Sequence, residues 1–395
     1  MMRVFLISIL LFVSISGFSQ DTLGTVNYVN REQMMLANIR IQLDATDAVN
    51  NLYNFKFKKA ERQFEGLKSL YPWHPLPYFL LGLSQWWKIV PNVEIETWDE
   101  QFYAYMDTSI YLAEQLYEGE GHEIEGAFFL SAAHAFKARL LSERRSWAKA
   151  AFAGKEALKY LEVSRGQHDL SPELLFGDAL YNYYSVWIPD NYPLLKPILM
   201  FFRRGDKDLG IKQLKEVSRN AFYTRTEAQF FLMRILAIEE NNTPEAIQVA
   251  EYLHQTFPDN AYFHRFYARL LYTTNQFRKA EEVSLDIMTK IDSGMIGYEA
   301  NSGRYAGFFL GQIFQNRGNV EKAKQYYQRA VDFGEEIEAY ETGYFLYSLL
   351  NLARIANDEG DEKQAKNLLK SIKKYAKRKH PAHKMARDYL KEVRN

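Results

Sequence analysis

The chain has 395 residues, with 49 Lys and Arg against 49 Asp and Glu, 47% hydrophobic residues and no Cys. A charged fraction of 25% argues against wholesale disorder, and the balanced charge argues against a chain-wide nucleic-acid surface. The absence of Cys excludes disulfides, thiolate zinc sites, iron–sulfur clusters and a cysteine nucleophile. The length suits two or three compact domains or one long repetitive array.

Residues 1–19 have the pattern of a secretory signal peptide. Arg3 precedes an apolar run over residues 4–15, and Gly17 and Ser19 supply the small residues of a cleavage site. We expect cleavage directly after Ser19. A buried or uncleaved membrane anchor is the alternative, although the run is shorter than a bilayer-spanning helix. The mature chain is therefore predicted to be exported, as a periplasmic or cell-envelope protein or a secreted one.

A repeated pattern of small and large residues fills much of the remaining chain. It occurs in two forms near the N-terminus, as Ala60-x-x-x-Phe64-x-x-Leu67 and as Tyr78-x-x-Leu81-Gly82. Later copies of the first form start at Ala246, Ala280, Ala323 and Ala365. Matching copies of the second form place their small residue at Ala268, Gly311 and Ala353. The first two of the later alanines are 34 residues apart, which indicates a repeating structural unit.

Each residue type in this pattern has a role in a pair of antiparallel helices. A small residue lets two helix backbones approach, and large residues three or four places away fill the adjoining holes. Gly318 and Gly360 fit the turns, and Pro72 and Pro258 end second helices. The pattern resembles the tetratricopeptide repeat, which implies an all-α fold, a right-handed α-solenoid of antiparallel helix pairs. An irregular helical bundle with accidental periodicity is the alternative.

The repeat pattern is more regular in some parts of the chain than in others, and this difference predicts three parts. They are the signal peptide over 1–19, irregular helical pairs with insertions over 20–220, and a repeat array with a capping helix over 221–395. Degenerate second helices are expected around Met106, Trp147 and Lys207. The block from Asp178 to Pro197, continued through Gly205 to Gly210, is similar to a signature of the tetratricopeptide repeat protein 39 family. That resemblance implies fold and no activity.

Patterns for catalysis and metal binding are sparse. The sequence has no phosphate-binding glycine loop, no strand pattern of any length and no arrangement typical of a Ser-His-Asp triad. His380 and His383 lie among Lys and Arg, which disfavours a cation there. Glu123 and Glu125 are interpreted as part of a solvated loop. We therefore expect no enzyme activity, no metal and no cofactor.

The first helices of such an array line its inner face, where ligands lie. Beside the packed positions of these helices, a second stripe at helical spacing is rich in Tyr and Arg. The predicted partner-binding residues are Tyr262, Arg265, Arg269, Tyr272, Tyr305, Phe308, Gln312, Tyr347 and Arg354. Arginines flanked by tyrosines suit a carboxylate or an extended peptide. The alternative is that Arg265 and Arg269 pair with neighbouring acids or face solvent.

Three further features bear on apolar or membrane contact. Trp86, Trp87 and Trp98 predict either an apolar ligand contact or a satellite core. The segment 193–204, a dense apolar run ending in two arginines, suits a buried linker helix or a membrane surface. Residues 363–395 carry 12 Lys and Arg, which suits the polar outside of a capping helix or an anionic partner.

Together these features predict a non-enzymatic, exported helical-repeat scaffold that binds a protein or peptide partner along its concave face. An apolar-ligand or membrane-surface-associated envelope protein is the second candidate. A nucleic-acid partner is not expected, because the charge is balanced over the whole chain.

Overall fold

The computed structural model describes residues 34–193 and 203–392. Within these ranges the regular elements are all helical, which confirms the predicted all-α class. The expected signal peptide at 1–19 and residues 194–202 of the apolar segment lie outside the described residues.

The chain divides into two compact units, residues 1–240 (unit 1) and residues 241–395 (unit 2). The described helices of unit 1 are α1 (Ile39–Tyr53), α2 (Phe57–Leu70), α3 (Pro75–Ile89), α4 (Asp99–Glu118), α5 (Glu123–Glu143), α6 (Trp147–Ser164), α7 (Leu175–Asn191), α8 (Lys207–Asn220) and α9 (Arg225–Arg234). A short π-helical turn, Ile235–Glu239, continues α9. The expected second helices around Met106, Trp147 and Lys207 are therefore present as α4, α6 and α8.

Unit 2 is a regular succession of helices. They are α10 (Thr243–Thr256), α11 (Ala261–Thr273), α12 (Phe277–Asp292), α13 (Ala300–Asn316), α14 (Val320–Glu336), α15 (Gly343–Asp358), α16 (Glu362–Tyr375) and α17 (Pro381–Glu392). Each helix of this unit packs against the next one along the chain. The first helices α11, α13, α15 and α17 also contact one another in that order, so they form one layer. We call this the first-helix layer.

The turns between first and second helices share one backbone geometry. The second residue after the first helix adopts a positive φ, as at Asn275 with 59° and Gly318 with 76°. The next N–H then reaches back five residues, as from Gln276 to the Leu271 carbonyl at 2.9 Å. This is the Schellman arrangement, which satisfies carbonyls at a helix end. It recurs in both units, because Phe55 and Arg145 also adopt a positive φ.

The small residues of the repeat lie where helices cross, as the sequence predicts. The second-helix alanines, from Ala60 to Ala365, are fully buried. A Cβ added to Gly311 of α13 would lie 2.5 Å from the ring of Tyr327 on α14. Because that distance is far below van der Waals contact, only glycine fits there. The helix pairs therefore form as the tetratricopeptide-like pattern predicts.

Helix α9 packs against the early helices of unit 1. Glu227 of α9 accepts hydrogen bonds from Trp87 Nε1 at 2.7 Å and from the Tyr53 hydroxyl at 3.3 Å. The Phe230 ring lies 5.4 Å from that of Trp87. These contacts hold α9 against α1 and α3. The boundary between the units therefore falls after Glu240 rather than after residue 220, where the repeat alone places it.

Candidate functional site

The first-helix layer of unit 2 carries two buried arginines. Arg265 of α11 and Arg304 of α13 are 8% and 7% exposed. The guanidinium carbon of Arg265 lies 5.4 Å from the ring centre of Tyr262 and 5.5 Å from that of Tyr305. That of Arg304 lies 5.4 Å from the same Tyr305 ring. One tyrosine is therefore shared between two cations, which is a favourable cation–π geometry for each.

Hydrogen bonds fix part of each guanidinium. Arg265 Nη1 donates to Ser302 Oγ at 3.1 Å, and Arg304 Nη2 donates to Asn301 Oδ1 at 3.0 Å. Arg304 Nε is buried and has no hydrogen-bond partner among the described residues. Burial lowers the pKa of Arg304, and the charge of Arg265 lowers it further. The site thus holds two neighbouring cations, and Arg304 is only partly satisfied within the described residues.

Arg269 completes this group, which we call the arginine cluster (Arg265, Arg269 and Arg304). Burial raises the pKa of Tyr344 to about 12, while the nearby charges of Arg269 and Arg304 oppose that rise. Within the described ranges, no carboxylate forms an ion pair with Arg269 or Arg304. The expectation that neighbouring acids neutralise Arg269 therefore finds no support in this part of the chain.

Aromatic rings surround the arginine cluster. The rings of Tyr305 and Tyr344 lie 4.6 Å apart, and those of Phe308 and Tyr344 lie 5.0 Å apart. Tyr272 stacks on Phe309 at 4.4 Å. The structure therefore brings together six of the predicted residues across α11 and α13. They are Tyr262, Arg265, Arg269, Tyr272, Tyr305 and Phe308.

Three other predicted residues have different surroundings. Gln312 forms a short hydrogen bond with the hydroxyl of Tyr327, so it supports the packing of α13 on α14. Tyr347 lies 5.9 Å from the His380 ring, next to the capping helix. Arg354 is exposed. These three residues do not join the arginine cluster.

Arg304 of the arginine cluster and the neighbouring Tyr344 were not predicted from the sequence. The repeat places Ala261 and Leu346 at the positions that correspond to Arg304 in the neighbouring units, which marks the position as core. The sequence did show a charged residue at a repeat position that is apolar in the neighbouring units. Whether such a residue is buried decides its role, and the periodicity of the sequence does not reveal burial.

The prediction that three tryptophans contact an apolar ligand is wrong for two of them. Trp86 and Trp87 are fully buried in α3, and Trp98 is 37% exposed. Trp86 packs 5.8 Å from the ring of Phe136, whereas Trp87 faces α9. Trp86 and Trp87 are therefore part of the core and present no surface to a ligand.

The solvated loop predicted around Glu125 is likewise corrected. Glu125 lies in the first turn of α5 and is 1% exposed. One of its oxygens accepts a hydrogen bond from the Leu36 N–H at 2.8 Å, which holds the N-terminal part of unit 1 in place. The acid is buried because it anchors another segment of the chain.

A family model described as Tetratricopeptide repeat matches residues 237–287. That range spans α10, α11 and most of α12, and the same pairing of helices continues to residue 392. The chain is a helical-repeat protein of the tetratricopeptide type. Repeats of this type generally mediate protein–protein interaction and are typically non-catalytic, so the match supports a protein-interaction scaffold. No curated protein matches the chain.

Among the helices of the described residues, none is both long and apolar enough to cross a membrane. The same ranges hold no group of three or more His, Cys, Asp or Glu side chains arranged to bind a metal ion. The similarity of the block around Asp178 to the tetratricopeptide repeat protein 39 family stays a prediction.

Proposed function

We propose that the protein is a scaffold whose unit 2 binds an acidic segment of a protein partner on the first-helix layer. Arg304 is the main support for this proposal. Its guanidinium is buried, and no carboxylate of the described chain forms an ion pair with it. A buried charge without a counter-charge is unfavourable, so a carboxylate from a partner would be stabilised there.

Recognition would combine charge with flat aromatic surface. A guanidinium binds a carboxylate through two parallel N–H donors, and Arg304 Nε is a buried donor that the chain leaves unused. Tyr262 and Tyr305 are half-buried beside the arginines and offer rings against which a peptide backbone can pack. Large, rigid side chains of this kind commonly supply most of the binding energy at an interface.

The exposed Arg354 has a different part in the proposal. It lies on α15 of the same first-helix layer and is open to solvent. Exposed charges chiefly speed the encounter with an oppositely charged partner and add little affinity. We therefore assign the main contribution to binding affinity to Arg304, and long-range electrostatic attraction of the partner to Arg354.

The test is capture of partners by purified full-length protein from an extract of its native cell envelope. Arg304→Met keeps an unbranched side chain and removes the charge, and Arg378→Met does the same at an exposed residue outside the cluster. We expect the wild type and Arg378→Met to retain the same partners and Arg304→Met to lose them. Circular dichroism checks that all three proteins remain helical.

A competition experiment makes the chemistry specific. A glutamate-rich peptide of about ten residues should displace the retained partners, and a lysine-rich peptide of equal length should not. Equal retention by wild type and Arg304→Met, or equal displacement by both peptides, would contradict the proposal.

We also propose that the protein is exported, on the support of the sequence pattern over residues 1–19. N-terminal sequencing of protein purified from the native cell checks this. A mature chain that begins at Gln20 is expected, whereas a chain that begins at Met1 and is found in the cytoplasm would reject export.

A further inference from the structure

Unit 1 contains a cavity with a volume of about 670 Å³. Side chains from α3, α5, α6, α7 and α9 form its wall. This volume lies within the range of small-molecule binding sites in proteins. The cavity is separate from the arginine cluster, which belongs to unit 2.

Most of the cavity wall is apolar. Representative lining residues from the five helices are Phe79, Phe128, Phe136, Leu158, Leu180 and Phe231. An apolar cavity of this size stabilises a ligand by removing its hydrocarbon surface from water. The wall therefore favours a hydrocarbon chain over a polar metabolite.

Two polar groups on the wall are buried and incompletely satisfied. Tyr223 lies directly before the N-cap residue of α9, Glu227 and Phe231 lie four residues apart within α9, and all three line the cavity. Tyr223 and Glu227 are 6% and 3% exposed. Within the described part of the chain, the Tyr223 hydroxyl and Glu227 Oε2 have no hydrogen-bond partner. Buried polar atoms are rarely left in this state in native proteins.

The charges near these two atoms restrict the headgroup of a ligand. Arg139 lines the cavity, and its guanidinium carbon lies 4.4 Å from the ring centre of Trp86. Arg139 and the Glu227 carboxylate have opposite charges, so a charged headgroup of either sign is attracted by one of them and repelled by the other. A neutral hydroxyl meets neither repulsion, and it is both a donor and an acceptor.

We propose that the unit 1 cavity binds a single-chain amphiphile with a neutral hydroxyl headgroup. The alkyl chain lies along the apolar wall. The hydroxyl donates a hydrogen bond to Glu227 Oε2 and accepts one from the Tyr223 hydroxyl. Both buried polar atoms are then satisfied, which the chain alone does not achieve in the described residues.

Three probes with the same alkyl chain and different headgroups test this assignment. Isothermal titration of the full chain with dodecanol, dodecanoate and dodecylammonium compares neutral, anionic and cationic heads, below the solubility limit of the alcohol and the micelle concentrations of the two ions. We expect dodecanol to bind with about tenfold higher affinity than either charged probe. Equal affinities for the three probes, or no saturable binding of dodecanol, would overturn the proposal.

Tyr223→Phe separates a binding role from a structural one. Since the hydroxyl has no partner in the described chain, its removal should leave the melting temperature unchanged or slightly raised. The same change should weaken dodecanol binding by about fivefold, the effect of losing one hydrogen bond. Tyr111→Phe, at a tyrosine that is 61% exposed in the same unit, is the matched control. Unchanged dodecanol affinity in Tyr223→Phe would reject the headgroup position.

Two more variants complete the design. Ala132 lines the cavity, and Ala132→Phe should fill space and abolish dodecanol binding while circular dichroism remains helical. Arg304→Met in unit 2 should leave dodecanol binding unchanged. Loss of dodecanol binding in Arg304→Met would overturn the assignment of the ligand to unit 1.

Discussion

The two units bury charges of opposite sign. Unit 1 buries Glu125, Glu173 and Glu227, whereas unit 2 buries Arg265 and Arg304. The acids accept hydrogen bonds from distant parts of their own unit, and Glu173 alone accepts four from residues 222–224. Glu227 is satisfied on one oxygen only, because its Oε2 has no partner among the described residues. Arg304 retains a buried donor without an acceptor among the described residues. A satisfied buried charge indicates a structural role, and an unsatisfied one directs attention to a ligand.

Replacing one large buried aromatic in each unit should have the largest effect. Trp87→Ala in unit 1 and Phe309→Ala in unit 2 each remove a fully buried ring, which costs about 3–5 kcal/mol of unfolding free energy. Because each unit has its own core, we expect each variant to raise hydrogen exchange chiefly in its own unit. Mass spectrometry of peptic fragments measures this. A uniform rise across both units would contradict the division.

Loss of a satisfied buried acid should come next in size. Glu173→Ala leaves three N–H groups at residues 222–224, two of them buried, without their acceptor, so we expect a loss of about 3 kcal/mol. Glu173→Gln retains one acceptor oxygen and should cost less. Urea unfolding monitored by circular dichroism compares the two. Equal midpoints for Ala and Gln would show that the hydrogen bonds are not the cause.

The two units should also respond to pH in opposite directions. Burial raises the pKa of Glu227 above 4.5, so the stability it contributes is present below that pH and is lost as pH rises through the folded-state value. Burial lowers the pKa of His264 well below 6.5, so its contribution is present above that pH and is lost as pH falls through the folded-state value. The effect is about 1 kcal/mol for each unit of pKa difference.

Glu227→Gln and His264→Gln isolate these two contributions. The first should flatten the loss of melting temperature above pH 4.5, and the second should flatten the loss below pH 6.5. Differential scanning calorimetry across that range provides the measurement. If either variant kept the wild-type dependence of melting temperature on pH, the replaced residue would not contribute to that dependence.

Removing an unsatisfied buried charge should have the smallest effect on stability. We expect Arg304→Met to change the unfolding free energy by less than about 1 kcal/mol, because a buried charge that lacks its counter-charge contributes little to folding. Arg354→Met, at an exposed arginine, is the comparison variant. A loss in Arg304→Met as large as that of Glu173→Ala would make Arg304 structural and weaken the proposed function.

The helix pairs were predictable because they depend on short spacings. A small residue at each crossing, as at Ala280, and a turn residue that tolerates positive φ, as at Gly318, are both local in sequence. The closure of unit 1 was not predictable, since Tyr53 and Glu227 are 174 residues apart. Of the arginine cluster, Arg265 and Arg269 follow from helical spacing. Arg304 does not, because its repeat position is apolar in the neighbouring units.

The hydrogen bond between Tyr53 and Glu227 also has a consequence for the order of events during synthesis. Helix α1 leaves the ribosome early, but the acid that its tyrosine binds follows 174 residues later. The core of unit 1 therefore cannot be completed until α9 has been synthesised, and its apolar side chains remain exposed to water until then. Pairs in unit 2 need only the adjacent helix, so they can form one after another as they emerge.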